Sequence, residues 1–343
     1  MSEKQSTAPI GVALIGSGRM GSFHAETLAR RLPGARLAAV VDPAPGAADR
    51  LVGVLGAGRA YTDLAQLWED PDVDAVVIST PARTHADLVV AAAAAGKGVF
   101  CEKPMAVTLA EADRAIDAAR AAGVVLQVGF NRRFAPDWAA ARQLIDSGRL
   151  GTPRLLRSLT RDPGGFDPSR VLPDTIFLET LIHDFDTLRF LNPGAEPVEV
   201  HAIADALVEP EWRDRGLLDT AVVTIRFDNG AMAVAEACFE ASYGYDVRGE
   251  VLGSGGMAQM GDGRRTGMVF SDAAGRFVDT VRGDQELFAT AYTAELAAFV
   301  EAVRGGTPAS VTGEDARGAL AIALAAAESV RAGRPVRIDE VAK

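Results

Sequence analysis

A short apolar run, Ile10 to Ile15, leads directly into Gly16-Ser17-Gly18-Arg19-Met20-Gly21 and then into a helix-forming stretch from Ser22 to Arg31. No other feature limits the fold of this chain so strongly. Strand, glycine turn and helix in that order predict the opening of a parallel α/β sheet. The first glycine permits the bend, the second brings backbone close to a pyrophosphate, and the third lets helix and strand pack, while the helix N-terminus offers N–H groups to the anion. A second apolar run, Leu37 to Val41, ends in Asp42, 21 positions beyond Gly21, where a carboxylate can hold the hydroxyls of an adenosine ribose. Its charge would repel a 2′-phosphate, and Pro43 to Gly46 contain no arginine to receive one. The sequence therefore favours NAD over NADP. The alternative is that Asp42 merely opens a surface turn before Pro43.

The strand pattern continues at Val73 to Thr80, Val99 to Cys101 and Val124 to Val128, and Thr108 with Glu111 predicts a capping box for a helix reaching Ala122. Residues 1–130 thus read as a complete six-stranded Rossmann domain. Two segments fall at strand ends, where open parallel sheets bind ligands: Thr80-Pro81-Ala82-Arg83-Thr84-His85 and Glu102-Lys103-Pro104. After Asn131 the texture changes. Strand-like segments at 154–160, 198–203, 220–227 and 231–237, with an Asp228-Asn229-Gly230 turn, predict an α+β domain over 131–343 built on a large, mainly antiparallel open sheet. A helix from Thr175 to Leu191 would place Glu179 and His183 on one face. Alanine-rich helices near 289–304 and 313–331 are expected to complete the packing of this second domain.

Composition narrows the partners. A net charge of −11 over 343 residues, with no long Lys/Arg cluster, argues against a nucleic-acid surface. No apolar run approaches a membrane span, and the polar residues 1–9 do not read as a signal peptide, so a cytoplasmic enzyme is expected. Beyond those nine residues no disordered linker, repeat or low-complexity tract is visible. Cys101 and Cys238 read as reduced thiols without metal spacing, and no metal site is expected.

Oxidising an alcohol to a carbonyl takes a hydride from carbon and a proton from oxygen, so a site for it needs a base and usually a cation. Of the four histidines, His24, His85, His183 and His201, the best base is His183, with Glu179 available to orient its ring. Lys103 is the matching cation, and the two are expected to converge from separate domains. The plainer readings are a surface Glu/His pair and a solvated lysine. His85 could meet a nicotinamide or simply pack at a helix start, and His24 and His201 read as structural. Arg161-Asp162-Pro163 and Tyr243-Gly244-Tyr245-Asp246 are either polyol contacts or ordinary turns.

These segments together resemble the Gfo/Idh/MocA oxidoreductases. The likeness spans nearly the whole chain through the glycine turn, Thr80-Pro81 with His85, Glu102-Lys103-Pro104, Gly129-Phe130-Asn131-Arg132-Arg133-Phe134, Arg161-Asp162-Pro163, Ile182-His183-Asp184-Phe185-Asp186, and Tyr243 to Asp246 followed by Gly253-Ser254-Gly255-Gly256-Met257. Arg161-Asp162-Pro163, Ile182 to Asp186 and Tyr243 to Asp246 are the segments that point to the inositol dehydrogenase branch. The resemblance implies NAD as cofactor, held around Gly16, Gly18, Arg19, Met20, Gly21, Asp42, Thr80, His85, Glu102 and Lys103. It implies a substrate pocket lined by Lys103 and His183, with the histidine accepting the proton and Glu179 standing where the family usually carries an aspartate. Asn131, Arg132, Asp162, Asp186 and Tyr245 are the further candidates for hydroxyl recognition. The implied activity is oxidation of a secondary hydroxyl of a cyclic polyol or sugar to a ketone by a homodimer or homotetramer. Another sugar, glycoside or aminocyclitol remains an alternative substrate, and a non-catalytic NAD-binding sensor remains an alternative of another class.

Overall fold

A computed structural model describes residues 8–165, 169 and 171–341; most of the polar start read as unordered, residues 1–7, lies outside them. The chain begins with β1 (Ile10–Ile15), α1 (Arg19–Arg30), β2 (Ala35–Val41), α2 (Ala47–Leu55), β3 (Arg59–Tyr61), α3 (Leu64–Trp68), β4 (Ala75–Ile78), α4 (His85–Ala94), β5 (Gly98–Cys101), α5 (Leu109–Ala122) and β6 (Leu126–Val128). The six strands form one parallel sheet in the order β3-β2-β1-β4-β5-β6. That is the doubly wound order in which a crevice opens at the carboxyl ends of the central strands. β4 and β5 are buried throughout, as strands covered on both faces must be. α5 starts as the sequence requires: the Glu111 N–H donates to Thr108 Oγ1 at 3.2 Å, and the Thr108 N–H donates to Glu111 Oε2 at 3.1 Å. β3 is the strand the sequence does not reveal. One exposed and two half-buried residues carry no period, and tertiary bonds from Arg59 and the Tyr61 hydroxyl to Asp70 hold it in place.

The chain continues with α6 (Pro136–Asp146), β7 (Pro153–Arg161), α7 (Leu181–Phe190), β8 (Pro197–Asp205), β9 (Thr220–Phe227), β10 (Met232–Cys238), β11 (Asp246–Gly253), β12 (Met257–Met260), β13 (Arg264–Asp272), β14 (Gly275–Thr280), α8 (Asp284–Leu287), α9 (Ala289–Gly305), α10 (Gly313–Ala332), β15 (Val336–Arg337) and α11 (Ile338–Val341). Seven strands form a second sheet in the order β12-β11-β7-β10-β9-β8-β15, antiparallel throughout except where β10 runs beside β7. β9 and β10 join through the Asp228-Asn229-Gly230 turn, with Gly230 at φ +86°. Along both strands burial alternates with period two. α7 packs over β7 and β10. β11 to β14 were not foreseen. β13 and β14 pair as a separate hairpin whose side chains are almost all exposed, so its sequence shows no buried stripe.

The chain forms two compact units, one made of the residues up to Phe130 with Tyr292–Arg317, the other of Asn131–Ala291 with the residues from Gly318 onward. The boundary at 130 coincides with the change in sequence texture, but assigning all of 131–343 to the second domain needs correction. Leu296, Phe299 and Val300 of α9 belong to the core of the first unit, beside Val12, Leu14 and Phe100. An alanine-rich amphipathic helix announces a buried face without saying which core receives it.

Candidate active site

The glycine turn is fixed by close backbone approach at two of its three glycines. Gly16 has φ +94°, and a Cβ there would stand 2.6 Å from the Ser79 carbonyl oxygen; at Gly21 it would stand 1.9 Å from the Gly16 oxygen. Neither position has room for a side chain. At Gly18 nothing lies within 4 Å of such a Cβ, so this glycine leaves open space at the start of α1. α1 has no side-chain cap and no acidic residue in its first turn, where Arg19 is exposed and Met20 half-buried. An anion meets N–H groups and a positive dipole end there. Asp42 follows β2 and is tied to the same turn: its Oδ2 accepts the Ser17 N–H at 2.8 Å and the Ser17 hydroxyl at 2.7 Å, and its Oδ1 accepts the Ala44 N–H at 2.9 Å. Burial alone would raise the Asp42 carboxyl. The hydrogen bonds from Ser17 and Ala44, with the Arg50 charge, bring it below its ordinary range instead. An ionised carboxylate beside an open glycine turn suits a ribose diol and a pyrophosphate, so these residues fit a dinucleotide.

Glu102-Lys103-Pro104 leaves the end of β5, with a cis bond before the proline and Lys103 half-buried. His85, at the start of α4, is buried with Nδ1 2.8 Å from the Pro104 carbonyl oxygen and Nε2 2.8 Å from the Thr80 carbonyl oxygen. Both ring nitrogens lie at hydrogen-bond distance from backbone carbonyl oxygens, so His85 braces the two strand-end loops. The Thr80 hydroxyl shares a 2.7 Å bond with Thr84. Glu102 is buried and its Oε1 lies 2.6 Å from His24 Nε2.

In the second unit the expected single helix around Glu179 and His183 is two pieces. Ile176–Thr180 is a π-helical turn, with the Leu181 N–H reaching back five residues to the Ile176 carbonyl, and α7 follows from Leu181. Glu179 sits in the wide turn and His183 in the first turn of α7, so a four-residue spacing no longer guarantees a shared face. Such turns recur at functional sites because one extra residue re-aims those around it. Buried Ile176, Phe177 and Leu181 anchor the junction. His183 and Glu179 are both half-buried.

Arg132 and Asp186 serve the fold more than the sequence suggested. Arg132, 2% exposed, donates from Nη1 to Asp184 Oδ1 at 2.8 Å and from Nη2 to the Thr160 hydroxyl at 2.6 Å. Asp184 also accepts the Ser158 hydroxyl at 2.5 Å and the Thr160 hydroxyl at 2.7 Å. Asp186 takes a two-pronged bond from Arg133, at 2.9 and 2.6 Å, and Arg133 also lies over the Phe190 ring. Asp184 and Arg133 lie in segments that carry the family resemblance but are not candidates there, and Ser158 and Thr160 carry no sequence signal. The one visible sign is an acid at alternate positions of a helix, which does not name its partner. Asn131 is buried with its side-chain Oδ1 unpartnered among the described residues. Tyr245 is buried, and burial, then the charge of Asp162, pushes its hydroxyl far above the ordinary tyrosine range. Asp162 is half-buried at the end of β7, its N–H donating to the Cys238 carbonyl and its carbonyl accepting from the Ala241 N–H.

Comparison with known proteins gives the family and the fold. The family described as oxidoreductase family, NAD-binding Rossmann fold, matches residues 10–130, and the GFO/IDH/MocA C-terminal domain matches residues 138–259. The scyllo-inositol 2-dehydrogenase (NAD(+)) of Bacillus subtilis is 38% identical over 95% of this chain and 96% of its own length. The myo-inositol 2-dehydrogenase of Thermotoga maritima is 39% identical over 96% of this chain and 99% of its own. Among solved structures, scyllo-inositol dehydrogenase from Lactobacillus casei with bound NAD(H) and scyllo-inositol superposes with a TM-score of 0.92, at 28% identity, over 97% of this chain and 100% of that one. With a glycine-turn Rossmann unit, a mainly antiparallel second sheet and both family domains matched, the chain belongs to the Gfo/Idh/MocA family of oxidoreductases.

Proposed function

We propose that this protein is an NAD-dependent dehydrogenase that oxidises a secondary hydroxyl of a cyclic polyol, an inositol or a close relative, to the ketone. The observation that carries this reading is Lys103 at the carboxyl end of β5, in a Rossmann unit whose glycine turn is open at Gly18 and whose ribose-side carboxylate, Asp42, is ionised. The similarity to the Bacillus subtilis and Thermotoga maritima inositol dehydrogenases supports the substrate class.

When bound, NAD supplies the acceptor for the hydride leaving the carbinol carbon. The remaining work falls to this chain. The backbone from Gly16 to Gly21, with Arg19 and Met20 in the first turn of α1, receives the pyrophosphate, and Asp42 holds the ribose hydroxyls. Lys103 orients the substrate oxygen and stabilises the negative charge that grows on it. His183 takes the hydroxyl proton as the C=O bond forms, with Glu179 orienting its ring. Asn131, whose Oδ1 has no hydrogen-bond partner among the described residues, accepts from a neighbouring substrate hydroxyl, and Asp162 and Tyr245 contact others. Arg132 and Asp186 support that pocket through the fold. Self-association through the open face of the seven-stranded sheet, and a reducing cytoplasmic setting suited to the free cysteines Cys101 and Cys238, belong to the same proposal. Among the described residues no helix is long and apolar enough to cross a membrane.

The test is NADH formation at alkaline pH across inositol isomers, monosaccharides and their glycosides. Turnover is expected with one or more inositols, and Lys103→Ala and His183→Ala should each lower kcat by about 100-fold or more while NAD binding persists. Binding of NAD without reduction across the whole panel would replace the dehydrogenase with a sensor.

A further inference from the structure

The first unit holds a buried polar cluster that the reaction does not consume. His24 of α1, Glu102 at the end of β5 and Glu295 of α9 bring one nitrogen or oxygen each to within 4.8 Å of one another. His24 and Glu295 are fully buried. The rings of Phe100 and Tyr292 stand edge-on to the imidazole, with centroids at 5.6 and 6.0 Å. His24 Nε2 and Glu102 Oε1 are 2.6 Å apart, and Glu102 Oε2 accepts the Lys103 N–H at 3.2 Å. His24 Nδ1 and both carboxyl oxygens of Glu295 have no hydrogen-bond partner among the described residues, while the Gln127 amide of β6 donates to the Glu295 backbone carbonyl at 2.7 Å.

Two carboxyl groups this close in apolar surroundings do not both ionise. Burial alone would raise Glu102, but the hydrogen bond and charge of His24, with the charges of Lys103 and His85, bring it below the ordinary range. Burial, then the charge of Glu102, pushes Glu295 well above that range. Glu102 therefore carries the negative charge and Glu295 keeps its proton. A metal ion suits the cluster poorly. Two ligands of one tetrahedral zinc stand about 3.4 Å apart, whereas Nε2 and Oε1 are at hydrogen-bond distance.

We propose that His24 and Glu295 are positioning residues for Lys103: together they keep a single negative charge on Glu102 and clamp its carboxylate against the Lys103 amide, fixing the backbone from which the ammonium reaches the substrate. This rests on the role given to Lys103 above. The titratable groups facing Glu295 are His24 from α1 and Glu102 from the end of β5; Lys103 and His85 act on Glu102, β6 presents the uncharged Gln127, and Tyr292 lies on the helix of Glu295 itself.

His24→Leu keeps the volume and removes the ring nitrogen that bonds Glu102, and His24→Gln restores a donor at a similar reach. At saturating polyol, kcat of His24→Leu is expected to fall about 10-fold, with NADH affinity by fluorescence within about twofold of wild type, and His24→Gln should recover most of the loss. Normal turnover in His24→Leu, or a His24→Gln no better than it, overturns the proposal. Lys103→Ala measured alongside separates two failures. An active Lys103→Ala removes the role of Lys103 and this proposal with it, whereas an inactive one beside an unaffected His24→Leu removes the positioning role alone. A second readout concerns Glu295. A carboxyl whose pKa is higher folded than unfolded lends stability below the unfolded value and withdraws it as pH rises from there towards the folded value. Glu295→Gln has no such loss, so its Tm should fall less than that of wild type between about pH 6 and about pH 9. Equal slopes, or a stoichiometric metal in the wild-type protein by elemental analysis, overturn the neutral carboxyl.

Discussion

At the scale of single residues, Asp42 joins a structural role in the glycine turn to the ribose-binding role proposed for it. Its carboxylate is already hydrogen-bonded to Ser17 and Ala44, so the group proposed to hold the ribose is fixed by the glycine turn itself. Asp42→Ser removes the charge that favours a ribose diol over a 2′-phosphate. The ratio of kcat/KM with NAD to that with NADP is expected to fall about 10-fold or more, the scale of one charge-assisted hydrogen bond. An unchanged ratio would deny Asp42 this role. The position was legible because it depends only on local spacing, a glycine turn and one strand later. His85 and Glu102 show the opposite case. Both lie in motifs that read as cofactor-binding, yet one is bonded to two backbone carbonyls and the other to a histidine 78 positions earlier, partners that no local pattern contains.

Among elements, the link between α7 and β7 is the most informative. Arg132, Asp184, Ser158 and Thr160 close a buried network in which the charges of arginine and aspartate offset one another and both hydroxyls donate to the carboxylate. Asp184→Ala strands a buried guanidinium and is expected to destabilise the protein by about 3–5 kcal/mol, measured by urea unfolding. Arg132→Met combined with Asp184→Leu should cost less than Asp184→Ala alone, because no charge is left buried without its partner. A double variant as unstable as the single one would mean that packing, and not the ion pair, dominates there. The helix itself was visible in the sequence from its apolar spacing. The π-helical turn before it was not, since a one-residue change in hydrogen-bond closure leaves no mark on composition.

At the scale of the whole molecule, the seven-stranded sheet leaves one face open. Ile203, Val222, Met232 and Met257 lie exposed on it, with Ile203 71% and Met232 58% accessible. Apolar residues spread over adjacent strands mark a surface that another chain can cover. Light scattering of the wild type is expected to give a dimer or tetramer, and Ile203→Asp with Met232→Asp should lower the mass at least about twofold while circular dichroism is retained. A monomeric wild type would leave the face to solvent. Sequence by itself determined the elements whose signals are local: the glycine turn, the buried parallel strands, the capping box of α5 and the period-two strands β9 and β10. Tertiary structure alone decided which core receives α9, that three residues at 59–61 form an edge strand, and which buried charges pair. The physical reason is that periodicity and turn chemistry record how a residue meets its own backbone. The partner of a buried side chain is set by chain segments far away in sequence, as Glu295 and Glu102 show.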